Sequence, residues 1–392
     1  MSLNNTPTAI RTHIGIFGNT NAGKSSIINA ITSQNIAIVS SVSGTTTDPV
    51  YKSMELLPLG PVVIIDTPGL DDLSELGKER IKKAYAVLEK TDIAVLVCDS
   101  LVGLTKTEEN LISKFKEKNI PYVLVYNKAD LSGRDEASEN VISVSAQTGK
   151  NIDRLKEMIA ALKPKEEERP LVSDLIKPGD TVLLVTPIDE SAPKGRLILP
   201  QQQTIRDILD AGAICLVTRE HELSSALSAL SKKPALVITD SQAFGFVNKV
   251  LPKDILLTSF SILFARKKGD LKSLVEGAKA LDGLQDGDTV LIAEGCTHHR
   301  QCGDIGTVKL PNWIRNYTGK ELNFEFTSGT EFPDSLTKYS LIVHCGGCML
   351  NDKAVKSRME RAGLQGVKMT NYGTTIAYVN GILERSIEPF GM

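Results

Sequence analysis

Apolar positions along this chain fall into two rhythms. Short apolar runs stand at THIGIF, VVIID, AVLVCD, VLVYN and VISV, and stretches with helical spacing follow, as in KSSIINAI and NIDRLKEMIAALK. Alternation of this kind predicts strands and helices in turn, hence an α/β fold with a mostly parallel sheet. The last of these helices ends in KPKEEERPLV, a charged, proline-bounded run over 163–172 that reads as a linker. Beyond it the rhythm resumes with DTVLLVTP, QQTIRDILDAGA, AICLVTR, HELSSALSAL, PALVITD and SQAFGFVNKVL, and later with DTVLIAEG, ELNFEFTSG, LIVHCGG, DKAVKSRMERAGLQG and VKMTNYG. The pattern predicts three α/β domains over 8–163, 173–261 and 262–392, the second and third being smaller. Gly-Asp-Thr-Val precedes an apolar run at both 179–182 and 287–290, an echo that one pair does not raise to a repeat.

Composition narrows the picture. The chain has 392 residues, 23% of them charged, and a formal net charge of −2, which gives no overall pull toward nucleic acid or an anionic membrane. No apolar run approaches the roughly 18–20 residues of a membrane span, and MSLNNTPTAIRTH has no secretory h-region, so a cytoplasmic address is expected. Two of the six cysteines, Cys98 and Cys215, sit in apolar strand-like runs and are expected as buried thiols. The other four crowd into the last hundred residues. A chain of this size needs no disulfide staples, so that crowding points to metal or redox chemistry.

Gly18 to Ser25 fits G-x-x-x-x-G-K-[ST] between a predicted strand and helix, the context the motif requires. Its main-chain N–H groups, from Asn19, Asn21, Ala22 and Gly23 through to Ser26, are set to wrap phosphates at the positive end of the helix. Lys24 would neutralise the β- and γ-phosphates, and Ser25 would ligate Mg²⁺. VVIIDTPGL adds Asp66, placed to hold Mg²⁺ through water, and Gly69, whose N–H can sense the γ-phosphate. VLVYNKAD adds Asn127, Lys128 and Asp130. The Asp130 carboxylate can accept from guanine N1–H and N2–H₂, a donor pair that adenine lacks. Ser145 and Ala146 of VISVSAQTG would close over the base. Four signals in this order, each at a strand end, describe a GTPase.

The last cysteines form a second constellation. One predicted strand runs into Cys296-Thr297-His298, another into His344-Cys345-Gly346-Gly347-Cys348. In a parallel sheet, the C-terminal ends of strands share one edge, where ligands usually bind, so Cys296 can converge on Cys345 and Cys348. A redox disulfide, a tetrahedral zinc site and an iron–sulfur cluster on three cysteines all remain compatible with these residues. In the last case His298, His344, Cys302, Asp304, water or an incoming molecule would complete the fourth position.

The N-terminal set, over about residues 8–162, resembles the TrmE–Era type of GTPase. The resemblance implies a switch I at Gly44-Thr45-Thr46-Thr47-Asp48, with Thr46 on Mg²⁺ and the γ-phosphate. Leu70 stands where Ras-like enzymes carry a water-orienting Gln, so intrinsic hydrolysis should be slow, and Lys24, Thr46, Gly69 and Asn21 are the groups left to promote it. Asn21 resembles the asparagine that helps hold K⁺ beside the phosphates in potassium-stimulated relatives. That GTPase followed by C-x-H and H-C-x-x-C resembles, over essentially the whole chain, the HydF family of [FeFe]-hydrogenase maturation GTPases. The resemblance implies a GTP-binding domain at 8–163, a dimerisation domain at 173–261 and a cluster-binding domain at 262–392. It implies a [4Fe–4S] cluster on Cys296, Cys345 and Cys348, with His298 or His344 as candidate fourth ligands. It also implies a homodimer or higher homo-oligomer that takes the diiron precursor of the H-cluster from radical-SAM maturases and delivers it to apo-[FeFe]-hydrogenase, with neither nucleic acid nor membrane as partner. The competing reading is a nucleotide-gated RNA- or ribosome-associated GTPase with a structural zinc domain, against which the C-terminal half shows no GxxG clamp and no basic-aromatic stripe.

Overall fold

A computed structural model describes residues 7–32, 48–70, 75–163, 169–188, 197–295, 304–329 and 331–392, and the chain divides into two units, Met1–Glu166 and Glu167–Met392. The apolar runs of the first unit become β1 (Thr12–Phe17), β2 (Val50–Leu56), β3 (Gly60–Asp66), β4 (Ile93–Asp99), β5 (Tyr122–Asn127) and β6 (Val141–Ser143). They form one sheet in the order β2-β3-β1-β4-β5-β6, antiparallel only between β2 and β3. Side chains alternate across it. Ile14, Ile64 and Val95 meet the helices Lys24–Thr32 and Ile152–Ala161 on one face, while Phe17, Ile65 and Leu96 meet Glu75–Leu88 and Lys106–Glu117 on the other. Each fully buried aliphatic side chain contributes roughly 1.5–3 kcal/mol relative to its exposed form, which makes this doubly covered sheet a stiff platform for the loops at its C-terminal edge.

The second unit holds two four-stranded sheets, both wholly parallel. One comprises β7 (Thr181–Val185), β8 (Ile214–Thr218), β9 (Leu236–Thr239) and β10 (Leu256–Ser259), in the order β10-β9-β7-β8. The other comprises β11 (Thr289–Ala293), β12 (Asn323–Thr327), β13 (Leu341–His344) and β14 (Lys368–Asn371), in the order β12-β11-β13-β14. Within each sheet, the first strand lies between the second and the third, so the two topologies are the same.

The agreement reaches individual hydrogen bonds. Asp180 and Asp288 accept the N–H of the residue three before, Lys177 and Gln285, each at 2.8 Å. Gly179 and Gly287 turn the chain at φ +84° and +87°, a conformation open to glycine, just before β7 and β11. The Gly-Asp-Thr-Val echo is therefore the visible end of a structural repeat.

The two sheets also share a core. Leu183, Val185 and Val237 cluster with Leu291, Ala293 and Ile342 around the helices Phe260–Lys268 and Leu271–Lys279. The limit expected between residues 261 and 262 falls within the first of these helices. Cys98 is buried as expected, but Cys215 is half-buried because β8 is an edge strand. On the same strand Ile214 and Val217 are 52% and 46% exposed. Among the described residues, no helix is long and apolar enough to cross a membrane.

Candidate functional site

The phosphate loop runs from the end of β1 to the helix Lys24–Thr32, and its shape depends on small residues. Gly23 has φ +91°, and a Cβ there would run into Asn127 Nδ2. Asn21 also sits in the left-handed region, at φ 62°. The buried Lys24 ammonium donates to the carbonyls of Gly18 at 2.9 Å and Asn19 at 2.8 Å, at the start of the loop it is expected to serve. Ser25 follows on the first turn and donates to Asp66 Oδ2 at 3.1 Å. β1 and β3 are paired with Ile16 opposite Asp66, which brings the two expected Mg²⁺ groups together. Burial raises the Asp66 carboxyl above its ordinary range, while Lys24 and the Ser25 hydrogen bond pull it back. Gly69 lies so close to Thr20 that a side chain would strike it, so the DTPG turn abuts the loop. Leu70 points into the core beside Phe17 and Ile65 and offers nothing to a water molecule.

Asn127 ties three loops together. Its amide nitrogen donates to Ala22 O, and its amide oxygen accepts from Ala146 N, each at 3.1 Å. Lys128, at φ 64°, ion-pairs with Asp99 at 2.6 Å. Asp130 is exposed on the short helix Ala129–Ser132, and the buried Ser145 hydroxyl accepts from Thr148 N at 3.1 Å. Ser26 is half-buried on the helix after Lys24. Thr46 lies outside the described residues. Sequence reasoning passed over Thr105, whose hydroxyl accepts from Asn19 Nδ2 at 3.0 Å. Its signal was a T-x-x-E capping box with Glu108, which fixes Thr105 at the start of the helix Lys106–Glu117.

The second site stands at the C-terminal edge of the last sheet. β11 and β13 pair in parallel with Ala293 opposite His344, so the runs into Cys296 and Cys345 leave the sheet side by side. Gly295 N–H donates to Cys345 Sγ at 3.0 Å, and Gly347 N–H does so at 3.3 Å. No disulfide joins Cys345 to Cys348. Burial raises the Cys348 thiol, Cys345 adds to that, and the Lys268 charge opposes both. Lys268 Nζ is buried against Gly347 O at 2.9 Å and Leu350 O at 2.6 Å. The buried His344 ring contacts Cys345 O through Nδ1 at 2.7 Å and Arg358 Nη1 through Nε2 at 2.9 Å. Arginine can only donate, so Nε2 accepts and the proton resides on Nδ1. Burial pulls Arg358 down to about 10, so it stays charged at neutral pH. Neither Lys268 nor Arg358 stood out in the sequence, since lone basic residues on helices carry no local signal. Asp304 caps Thr307 N at 2.9 Å, and Tyr372 donates to the buried Glu294 at 3.2 Å.

Among the described residues, no group of three His, Cys, Asp or Glu side chains gathers as a metal site. Cys296, His298 and Cys302 lie outside them. The described part nevertheless fits a thiolate-bound cluster. Two thiols flank a Gly-Gly turn, main-chain N–H groups aim at one sulfur, and two buried cations lie against the same loop, where they would suit an anionic cluster.

Three family models match the chain in series: the 50S ribosome-binding GTPase over residues 13–128, the Hydrogen maturase F dimerization domain over 171–269, and the Hydrogen maturase F tetramerization domain over 272–389. The tRNA modification GTPase MnmE of Nitrosomonas eutropha is 34% identical over 148 residues, which are 36% of this chain and 32% of the relative. GTPase Der of Wolinella succinogenes is 34% identical over 170 residues, 39% of this chain and 36% of the relative. The chain thus spans about a third of the length of these curated relatives. A crystal structure of Era from Aquifex aeolicus bound to GDP.AlF4− is 19% identical, covering 61% of this chain and 97% of that one at a TM-score of 0.35.

The first match makes the N-terminal unit a GTPase domain, a fold that takes GTP or GDP with Mg²⁺. The other two cover more than half of the chain and mark it as one that assembles with copies of itself. With a GTPase domain followed by both of these domains, the chain belongs to the Hydrogen maturase F family.

Proposed function

We propose that this GTPase is an iron–sulfur scaffold and carrier that receives the diiron precursor of the H-cluster from radical-SAM maturases and delivers it to apo-[FeFe]-hydrogenase. The N-terminal domain binds GTP, the middle domain dimerises the chain, and the last domain holds a [4Fe–4S] cluster on Cys296, Cys345 and Cys348. The observation that carries the proposal is the Cys345 sulfur, which accepts two main-chain N–H groups, one of them from Gly295 next to Cys296 in sequence. Such bonds stabilise a thiolate over a thiol. His344, engaged at both ring nitrogens, acts as a brace for the loop, which leaves the fourth iron position to His298 or to cargo. The cluster, when bound, supplies an iron with an exchangeable site.

In the nucleotide site, the N–H groups of the loop from Asn19 to Ser26 cradle the phosphates at the helix N-terminus. Lys24 would exchange its carbonyl partners for phosphate oxygens, and Ser25 would hold Mg²⁺ directly and Asp66 through water, joined by Thr46 when GTP is bound. Asp130 reads the guanine edge, Lys128 is held in place by Asp99, and Ser145 and Ala146 cover the base. With Leu70 in the core, no side chain at that position orients the attacking water. Gly69 N–H would sense the γ-phosphate, and Asn21 would help hold a K⁺ that, when bound, would offset the charge developing on transfer. Nucleotide state then gates partner release through switch I.

The test is transfer. Protein loaded anaerobically with the diiron precursor should activate apo-hydrogenase, and Cys348→Ser protein treated identically should not. Activation by Cys348→Ser at the wild-type level would overturn the carrier reading.

A further inference from the structure

Lys268 ends the helix Phe260–Lys268, inside the region that matches the dimerization domain, yet its ammonium serves the cysteine loop. The residue is 3% exposed. Its hydrogen bonds go to two neutral carbonyls, Gly347 O at 2.9 Å and Leu350 O at 2.6 Å, and Gly347 stands between the two cysteines. Among the described residues, no carboxylate comes within ion-pair distance of it. The ionisable groups around it are Asp352, Cys348, Cys345 and the like-charged Lys267. Burying an ammonium against neutral partners is unfavourable, and an anion at the loop offsets that. Arg358 repeats the arrangement from the helix Asp352–Leu364. It is 6% exposed, donates to His344 Nε2 and to Gly329 O at 2.8 Å, and lies near the ionisable Cys345 and the like-charged Arg361. Two buried cations from two helices thus flank one Cys-Gly-Gly-Cys turn.

We infer that Lys268 is a positioning residue for the cluster: it pins the turn through Gly347 and Leu350 and supplies the buried positive charge that a thiolate-ligated, anionic iron–sulfur cluster needs. The inference rests on the iron–sulfur reading proposed above. It also assigns a part of the cluster site to the first repeat of the unit, so the two Hydrogen maturase F domains hold the cluster together. Net charge and hydrogen bonding around a cluster set its reduction potential, and removing a nearby buried cation disfavours the added electron.

The experiment uses full-length protein reconstituted anaerobically with iron and sulfide, in wild-type, K268M, K268Q and K268R forms. Iron content, GTP turnover and the midpoint potential from EPR-monitored redox titration are measured on each. K268Q keeps a donor without the charge, and K268R keeps the charge. The expected result is a more negative potential in K268Q, a further loss of iron in K268M, a potential near wild type in K268R, and unchanged GTP turnover in all three. K268M and K268Q with wild-type iron content and wild-type potential would overturn the role of Lys268 and leave the cluster reading standing. A wild-type protein that takes up no cluster would overturn both. If K268M fails to fold, K268Q against K268R still decides, because the pair differs in charge while each retains a donor.

Discussion

Asn127→Ala removes a side chain that never needs to touch the nucleotide to matter. The residue is 3% exposed, and its two 3.1 Å hydrogen bonds connect the phosphate loop at Ala22 to the base-covering loop at Ala146. Truncation leaves the Ala22 carbonyl and the Ala146 N–H without this partner. Each orphaned group costs about 1–3 kcal/mol, so the GTPase unit should lose roughly 2–6 kcal/mol. The same bonds hold the phosphate and base loops in register. Even about 1.4 kcal/mol of that loss appearing in binding weakens GTP affinity tenfold. Urea unfolding followed by a probe in the GTPase unit gives the first quantity, and titration with a fluorescent GTP analogue gives the second. Asn127→Asp is the control for shape: it retains the acceptor for Ala146 N and sets an oxygen against Ala22 O, so it should also lose stability. An Asn127→Ala protein that unfolds at the wild-type midpoint and binds GTP with wild-type affinity would refute the reasoning.

Other outcomes follow from single sites. Burial lowers His13 to about 4, against an ordinary value near 6.5, and its Nδ1 donates to Arg11 O at 2.9 Å. The folded state holds the neutral ring, so this contribution is complete above about pH 6.5, fades as pH falls toward 4, and amounts to about 3 kcal/mol at most. Urea midpoints measured across that range should drop for wild type and flatten for His13→Gln; parallel curves would exclude the histidine as the cause. On the edge strand β8, Val217→Lys places a charge among the exposed Ile214 and Leu216, so light scattering should show a smaller assembly, and an unchanged mass would clear this edge of a role in dimerisation. GTP turnover should be faster in K⁺ than in Na⁺, with the difference abolished by Asn21→Ala; equal rates in the wild type would remove the proposed role of Asn21.

Much of the nucleotide site was legible because its chemistry is local in sequence. A phosphate loop must combine glycines, Lys24 and Ser25 within eight residues, and a strand must deliver Asp66, so order and spacing identify the parts. The pairing of the strands that lead into the two cysteine runs was legible for a related reason: parallel strands bring their C-terminal ends to one edge, and Ala293 lies opposite His344. Lys268 and Arg358 were invisible. Each reaches the loop from a helix whose own sequence gives no hint of the partner, and Lys268 crosses 79 positions to Gly347. The repeat was half visible, since the Gly-Asp-Thr-Val turn needs those residues, whereas the strands behind it need only be apolar and are free to diverge. Cys215 was misjudged because an apolar run does not say whether its strand is central or at an edge.

Anaerobic reconstitution of the wild-type and Cys345→Ser proteins, with iron and sulfide counted and EPR recorded on the reduced samples beside GTP turnover, bears most directly on the pairing of a GTPase with a three-cysteine cluster. The wild type should show a [4Fe–4S] signal, and Cys345→Ser should lose it while hydrolysing GTP at the wild-type rate. A wild-type protein that binds zinc alone, or a Cys345→Ser protein that keeps a full cluster, would contradict the account.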